Sequence, residues 1–180
     1  MKKVKNFLPA VLIFLLFLLN FNQSANAQPV THGQPVTYVG DLTLGAGLSY
    51  GTSVGHLGNS EIGVTLQMYY GITEEVRAGV QYTYYFIGES GLGASEFNLN
   101  GHYFIRNRDD LIIYGLGGVN LSRINADSDV WGNVSSSNIG LNAGIGLEYD
   151  FGNFSVFAEP KFTLGGWNQL MTTVGAKLRI

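Results

Sequence analysis

The chain has 180 residues, of which 46% are apolar and only 13% are charged, and it contains 25 glycines and no cysteine. Soluble domains usually carry about 25% charged residues, so the shortage of charge is the first hint of a solvent other than water. The lack of cysteine excludes disulfides, thiolate metal sites and a lipid anchor on cysteine, and the net charge of −3 argues against a basic surface for nucleic acid.

The first 27 residues have the layout of a secretory signal peptide. Lys2, Lys3 and Lys5 precede an apolar run at 7–19, and an Ala-Asn-Ala motif ends at Ala27. This order predicts export and cleavage after Ala27, because the apolar run is shorter than the roughly 20 residues of a spanning helix. Cleavage removes three lysines and no acidic residue, which leaves 7 basic and 13 acidic side chains and a net charge of −6. Residues 28–40, which contain prolines and a repeated QPVT, are predicted to be a periplasmic tail.

From Asp41 to Ile180, apolar and polar residues alternate in eight separate segments. A period of two is typical of β-strands, and the segments between are rich in Gly, Asn, Asp and Ser. The predicted strands are 41–51, 61–71, 76–86, 95–105, 111–122, 137–149, 154–164 and 171–180. Long connectors (52–60, 87–94, 123–136) alternate with short ones (72–75, 106–110, 150–153), and 165–170 is intermediate. The pattern predicts an all-β domain, an eight-stranded antiparallel up-and-down transmembrane β-barrel with both ends on the periplasmic side.

The two faces of the predicted strands differ in composition. In GLNAGIGLEYDF, residues 140–151, Leu141, Ala143 and Ile145 alternate with Gly, Asn and Glu. Across all strands the apolar phase carries no charge. The other phase contains many Gly and Asn residues and carries the charges. Four acids balance four bases there: Glu61, Glu96, Glu148 and Glu159, and Arg77, Lys161, Lys177 and Arg179. A water-facing phase would hold more charge and fewer glycines, whereas small residues and balanced charges suit a narrow lumen. The apolar phase is therefore predicted to face lipid.

Three segments carry a resemblance to a known family. YYGITEEVRAGVQYTYYF (69–86), NFSVFAEPKFTL (153–164) and the ending TVGAKLRI resemble the small eight-stranded outer-membrane barrels of the OmpX and OmpA transmembrane-domain type. The resemblance implies a cell outer-membrane location, contact with lipid and lipopolysaccharide, and insertion by the barrel assembly machinery. The chain departs from the family at Ile180, where such endings usually have Phe. Pro160 lacks a ladder donor, so a bulge or local irregularity is expected there.

Six charged residues are predicted to form a salt-bridge network in the lumen: Arg77, Glu148, Glu159, Lys161, Lys177 and Arg179. An eight-stranded barrel has an interior just wide enough for side chains to fill. Unpaired buried charges are costly, so a side-chain plug is favoured over an ion gate or a narrow conduction path.

No catalytic, cofactor or metal site is predicted, and the chain is not expected to be an enzyme. The lipid-facing phase has no histidine and no acid, and the three histidines, His32, His56 and His102, form no paired motif. His102 is expected to be a satisfied polar residue of the lumen.

The predicted loop 123–136 holds the candidates for recognition at the cell surface. Asp127 and Asp129 lie near Trp131, an arrangement that fits a contact patch or a weak cation site, although acidic loops are also ordinary solvated surface. The long connectors are too short to predict a tall protruding sheet.

The sequence as a whole predicts an outer-membrane barrel with a structural or surface-interaction role in the envelope of a Gram-negative bacterium. Two alternatives stay open. One is a narrow porin-like channel for ions or small solutes, and the other is a soluble periplasmic lipocalin-like barrel whose apolar phase encloses a ligand. No specific protein partner is predicted.

Overall fold

The computed structural model describes residues 39–54, 60–88, 92–128, 132–152 and 154–180. The predicted signal peptide and all but the last two residues of the predicted tail lie outside the described residues. Within the described ranges no helix is long and apolar enough to cross a membrane.

Eight strands form one closed antiparallel sheet. Each strand pairs with the next along the chain, and the last pairs with the first, which confirms the predicted up-and-down barrel. The strands are β1 (Leu42–Gly51), β2 (Glu61–Gly71), β3 (Val76–Phe86), β4 (Leu92–Arg108), β5 (Leu111–Ser128), β6 (Gly132–Asp150), β7 (Phe154–Gly165) and β8 (Gln169–Arg179).

The two ends of the barrel are distinguished by the start of β1 and the end of β8. The Ile180 amide donates to the Leu42 carbonyl oxygen at 2.8 Å, so both strands end at one rim. We call this the inner rim and the opposite one the outer rim. The short connectors predicted at 72–75, 106–110 and 150–153 belong to this rim, and the described residues between the strands there are 72–75, 109–110 and 151–152.

Strands β4, β5 and β6 are longer than predicted, with 17, 18 and 19 residues. Residues 124–128 of β5 pair with residues 132–136 of β6, where the alternation predicted a loop at 123–136. That prediction was wrong. The paired segments, which we call the outer ribbon, extend the sheet beyond the length expected from the modest size of the long connectors. The segment shows no apolar alternation, and its strand structure rests on the continued ladder between β5 and β6.

Burial confirms the predicted inside and outside phases of the strands. Outward apolar side chains such as Leu48, Leu141 and Ile139 are 63%, 61% and 75% exposed, whereas the inward Glu159 and Lys161 are 0% and 1% exposed. The exterior is therefore apolar and the interior holds the charges. The lipocalin-like alternative required the opposite arrangement, with the apolar phase enclosing a ligand.

The ladder between β6 and β7 is interrupted at Pro160. It runs up to the pair Gly144↔Lys161 and resumes at Leu147↔Ala158 in the same register, and Pro160 lies in the gap. The expected local irregularity is thus confirmed as a break in the ladder without a register shift, because proline has no N–H to donate. A bulge is present elsewhere, near the inner end of β4.

Candidate functional site in the barrel lumen

An ion cluster occupies the inner half of the lumen. Glu148 on β6 accepts a hydrogen bond from Arg77 Nη2 on β3 at 2.8 Å and from Lys177 Nζ on β8 at 2.7 Å. Ser155 donates its hydroxyl to the other carboxylate oxygen at 2.6 Å. All these residues are buried, so the pairing offsets the large desolvation cost that each isolated charge would carry. We call Arg77, Glu148 and Lys177 the inner cluster.

Aromatic rings surround the two cations of the inner cluster. The guanidinium carbon of Arg77 lies 5.3, 5.1 and 4.9 Å from three ring centroids, those of Tyr69, Phe104 and Tyr114. Lys177 Nζ lies 4.4 Å from the ring centroid of Phe157. Ring faces attract cations through their quadrupole. The rings therefore stabilise two positive charges that share one carboxylate.

Glu159 is connected to the inner cluster through a tyrosine. The Tyr114 hydroxyl donates to Glu159 Oε2 at 2.8 Å and accepts from Lys177 Nζ at 3.3 Å. Two buried carboxylates thus balance the two cations within one hydrogen-bonded group. Four of the six residues of the predicted network are joined in this way.

The remaining two predicted residues lie apart from that group. Lys161 Nζ donates to Gln81 Oε1 at 2.6 Å, and among the described residues no carboxylate oxygen forms an ion pair with it. Arg179 lies at the inner rim, where it forms ion pairs with Asp150 and, at 3.6 Å, with Asp41. The network therefore has a paired centre, an inner-rim arginine that pairs with two aspartates, and a separate lysine.

His102 is part of the wall of the inner cluster. Its ring centroid lies 4.2 Å from that of Tyr69 and 4.3 Å from that of Tyr114. Arg77 Nε donates to His102 Nδ1 at 3.0 Å. Because a guanidinium only donates, Nδ1 carries no proton, and a neutral ring therefore has its hydrogen on Nε2. Nε2 lies 3.8 Å from Glu159 Oε2, so His102 positions Arg77 and faces a carboxylate.

Short polar side chains cross-link the strands above the inner cluster. The Ser49 hydroxyl lies 2.7 Å from that of Thr173 and 2.5 Å from that of Thr65, which is 2.7 Å from the Thr83 hydroxyl. On the opposite wall, amide groups bond one another across β4, β5 and β6: Asn98, Asn100, Asn120 and Asn142. These hydroxyl and amide side chains are uncharged, and Lys161 reaches the same layer through Gln81, the ladder partner of Asn98.

The aromatic residues of the lumen were missed by the sequence reasoning. Tyr69, Tyr114 and Phe157 stand in the phase that was described as polar and small. Tyr114 lies directly opposite Gly146 in the β5–β6 ladder, and a Cβ added at Gly146 would come within 2.0 Å of its ring. The sequence signal that could have revealed these rings is a tyrosine opposite a glycine on the inward faces of neighbouring strands.

The structure describes only part of the three surface-loop candidates. Asp127 belongs to β5, where it pairs with Asn133. Its side chain, like all of Asp129 and Trp131, lies outside the described residues. In the described part of the chain no group of three or more His, Asp and Glu residues could hold a metal ion.

Comparisons with known proteins agree with the fold. No protein-family model matches the chain, and no curated protein matches it by sequence. Among solved structures, it is similar to the N-terminal β-barrel domain of Pseudomonas aeruginosa OprF (TM-score 0.62, 19% identity, 80% of this chain and 100% of that one). It is also similar to Ail, the attachment invasion locus protein of Yersinia pestis (0.59, 18%, 79% and 99%), and to Neisserial surface protein A (0.61, 17%, 78% and 95%). At these identities the likeness establishes the fold of the small barrels that the sequence resembles.

Proposed function

We propose that this chain is an integral protein of the bacterial outer membrane, with a structural or surface-interaction role and a lumen closed by its own side chains. The observation that carries the proposal is the distribution of polarity, with exposed apolar side chains outside and buried ion pairs inside. Lipid and lipopolysaccharide would surround the apolar exterior, since hydrocarbon is the solvent such a surface requires. The barrel assembly machinery would insert the chain.

The outer ribbon supports a role in surface interaction. Residues 132–139 of β6 pair with β5, whereas pairing with β7 begins only at Gly140. One edge of β6 therefore presents backbone donors and acceptors above the barrel without a neighbouring strand from the described part of this chain. Such an edge is a template for an added strand, and strand addition is the mode of recognition that we propose for a protein partner.

The experiment that tests the membrane assignment is expression of the full chain in a Gram-negative host. Outer membranes are isolated, and the mobility of the protein in SDS gels is compared with and without boiling. We expect recovery in the outer membrane and a heat-dependent shift, because a closed barrel resists detergent until it is heated. Recovery in the soluble periplasm would contradict the proposal.

A narrow channel is the second candidate function. It is favoured by the polar lining of the lumen and by Lys161, which bonds an amide of Gln81 instead of a carboxylate. If ions pass this lysine, purified protein in planar bilayers will show steady single-channel conductance, and Lys161→Glu will change its size and ion selectivity. Arg106→Glu at the exposed inner rim is the matched charge reversal, and we expect it to change neither. Absence of conductance would support a lumen that is closed by its own side chains.

A further inference from the structure

Five apolar side chains close the lumen at the outer rim. They converge from the β1–β2 and β7–β8 connectors and from the outer ends of β3, β4 and β8, and each is at most 1% exposed: Val54, Tyr85, Ala94, Trp167 and Met171. We call them the apolar cap. Two buried polar side chains lie against it, since Gln169 Nε2 donates to Glu96 Oε1 and, at 3.4 Å, to the Tyr85 hydroxyl. The next inward positions below Gly51, Tyr85 and Met171 are Ser49, Thr83 and Thr173, so the cap is a mainly apolar layer above a polar part of the lumen.

The β7–β8 connector turns inward to place Trp167 in the cap. Gly165 and Gly166 have φ values of 76° and 57°, which is the left-handed region that glycine enters without steric cost. The Gly165 amide donates to Asn168 Oδ1 at 2.9 Å, which closes the turn. Trp167 therefore follows directly on a turn whose backbone conformation glycine adopts without steric cost.

The cap is tightly packed around Tyr85. The ring centroids of Tyr85 and Trp167 are 6.5 Å apart, and the Tyr85 hydroxyl donates to Met171 Sδ at 2.7 Å. A Cβ added at Gly51 would lie 3.0 Å from both Tyr85 and Val54. The β1 backbone at Gly51 is thus in close contact with the cap.

We propose that the apolar cap is the outer gate of the lumen, with Trp167 as its movable part and the Gly165–Gly166 turn as its hinge. A layer of apolar side chains excludes water and ions from a narrow passage because it offers them no hydrogen-bond partner. The inner cluster closes the opposite end by charge pairing. The lumen therefore has two barriers of different chemistry, and the indole is the largest side chain of the outer one. The assignment of this gate to the cell-surface side rests on the proposed orientation in the outer membrane.

A single cysteine below the cap reports whether the gate is closed. The chain has no cysteine, and Ser49 is buried one inward position below Gly51, so Ser49→Cys is a nearly isosteric reporter. A small charged methanethiosulfonate reagent is added to intact cells that carry the full chain. The exposed Ser137→Cys is the control for full reactivity. Only protein that shows the heat-dependent gel shift in the outer-membrane fraction is counted, so failure of the membrane assignment is seen separately.

We expect Ser49→Cys to react slowly while Trp167 is present. Adding Trp167→Ala should raise the reaction rate by roughly tenfold or more, because removal of the ring raises the population of open states. Trp167→Phe keeps an aromatic ring in the cap and should leave the rate nearly unchanged. If the Trp167→Ala barrel does not fold, Val54→Ser removes a different part of the cap and should give the same rise.

Two results would overturn the gate. Fast labelling of Ser49→Cys with Trp167 in place, at the rate of Ser137→Cys, would mean that the mouth is open. An unchanged slow rate in folded Trp167→Ala and Val54→Ser barrels would mean that the barrier lies elsewhere.

Discussion

At the scale of single residues, the lumen is filled by rings that need glycine opposite them. Tyr114 lies across from Gly146, and its hydroxyl reaches both Glu159 and Lys177 only because its ring lies against the bare backbone of β6. The inward glycines were predicted to provide room, and at this position the room is taken by an aromatic ring. The arrangement of the ion cluster therefore depends on a residue with no side chain.

Gly146→Ala should destabilise the barrel. The new methyl group would come within 2.0 Å of Tyr114 Cζ, which displaces the ring and its hydrogen bond to Glu159. We expect the free energy of unfolding to fall by about 1–3 kcal/mol, the range for an overpacked interior, as measured by urea unfolding in lipid vesicles. Gly115→Ala is the matched control, because nothing lies within 4 Å of a Cβ there. Equal losses in both variants would rule out the steric explanation.

The charged residues show how much of the site the sequence could predict. Alternation places a residue on the inner face, and in this way it identified Arg77, Glu148 and Lys177 as lumenal. It does not give the height of each strand relative to strands across the barrel, which depends on the shear of the closed sheet. For that reason the amide partner of Lys161 could not be foreseen. Trp167 was missed because a connector has no face to assign.

At the scale of elements, prediction succeeded where the two faces of a strand meet different surroundings. β2 and β3 begin and end at the predicted residues, since apolar and polar side chains alternate along most of their length. The outer ends of β5 and β6 have no such alternation, and their strand structure depends on the ladder alone. The outer ribbon therefore differs from the barrel wall in sequence pattern, and Ile124 at its base packs against the cluster of buried apolar side chains at the outer rim.

Replacing residues 125–135 by Asn-Gly should leave the barrel folded. Ile124 and Ser136 are partners in the ladder, and two residues of this type make a tight hairpin turn between paired strands. We expect the shortened protein to reach the outer membrane and to keep its heat-dependent gel shift, while any binding of proteins to the ribbon edge is lost. Loss of the gel shift would show that the ribbon is needed for folding.

At the scale of the whole molecule, the barrel is organised inside out relative to a soluble protein. Its exposed wall is apolar around the full circumference, and charged groups are buried along the axis. The comparison structures share this small closed barrel at identities below 20%. The proposed outer-membrane location therefore depends on whether lipid, not water, surrounds this apolar wall.

Charges on the wall should be penalised according to depth. Leu66 and Ile145 lie near the middle of their membrane segments and are 45% and 59% exposed. Leu66→Arg or Ile145→Arg should cost about 2–4 kcal/mol of folding free energy in bilayers, as measured by urea titration of vesicle-inserted protein. Ser137→Arg, beyond the last β6–β7 pair, should cost about 0–1 kcal/mol. Unchanged stability of both wall variants would contradict the lipid-facing orientation.

Mechanical load would not be shared evenly around this wall. The seam between β6 and β7 consists of two short runs of paired residues, 140–144 and 147–150, with Pro160 at the break, whereas the seam between β5 and β6 is continuous over its whole length. Two strands pulled apart from one end separate one hydrogen bond at a time, so a gap in the ladder lowers the resistance of that pair of strands. Under tension the cylinder should open along the β6–β7 seam, and the β7–β8 hairpin would stay attached to β1 through the unbroken β1–β8 ladder.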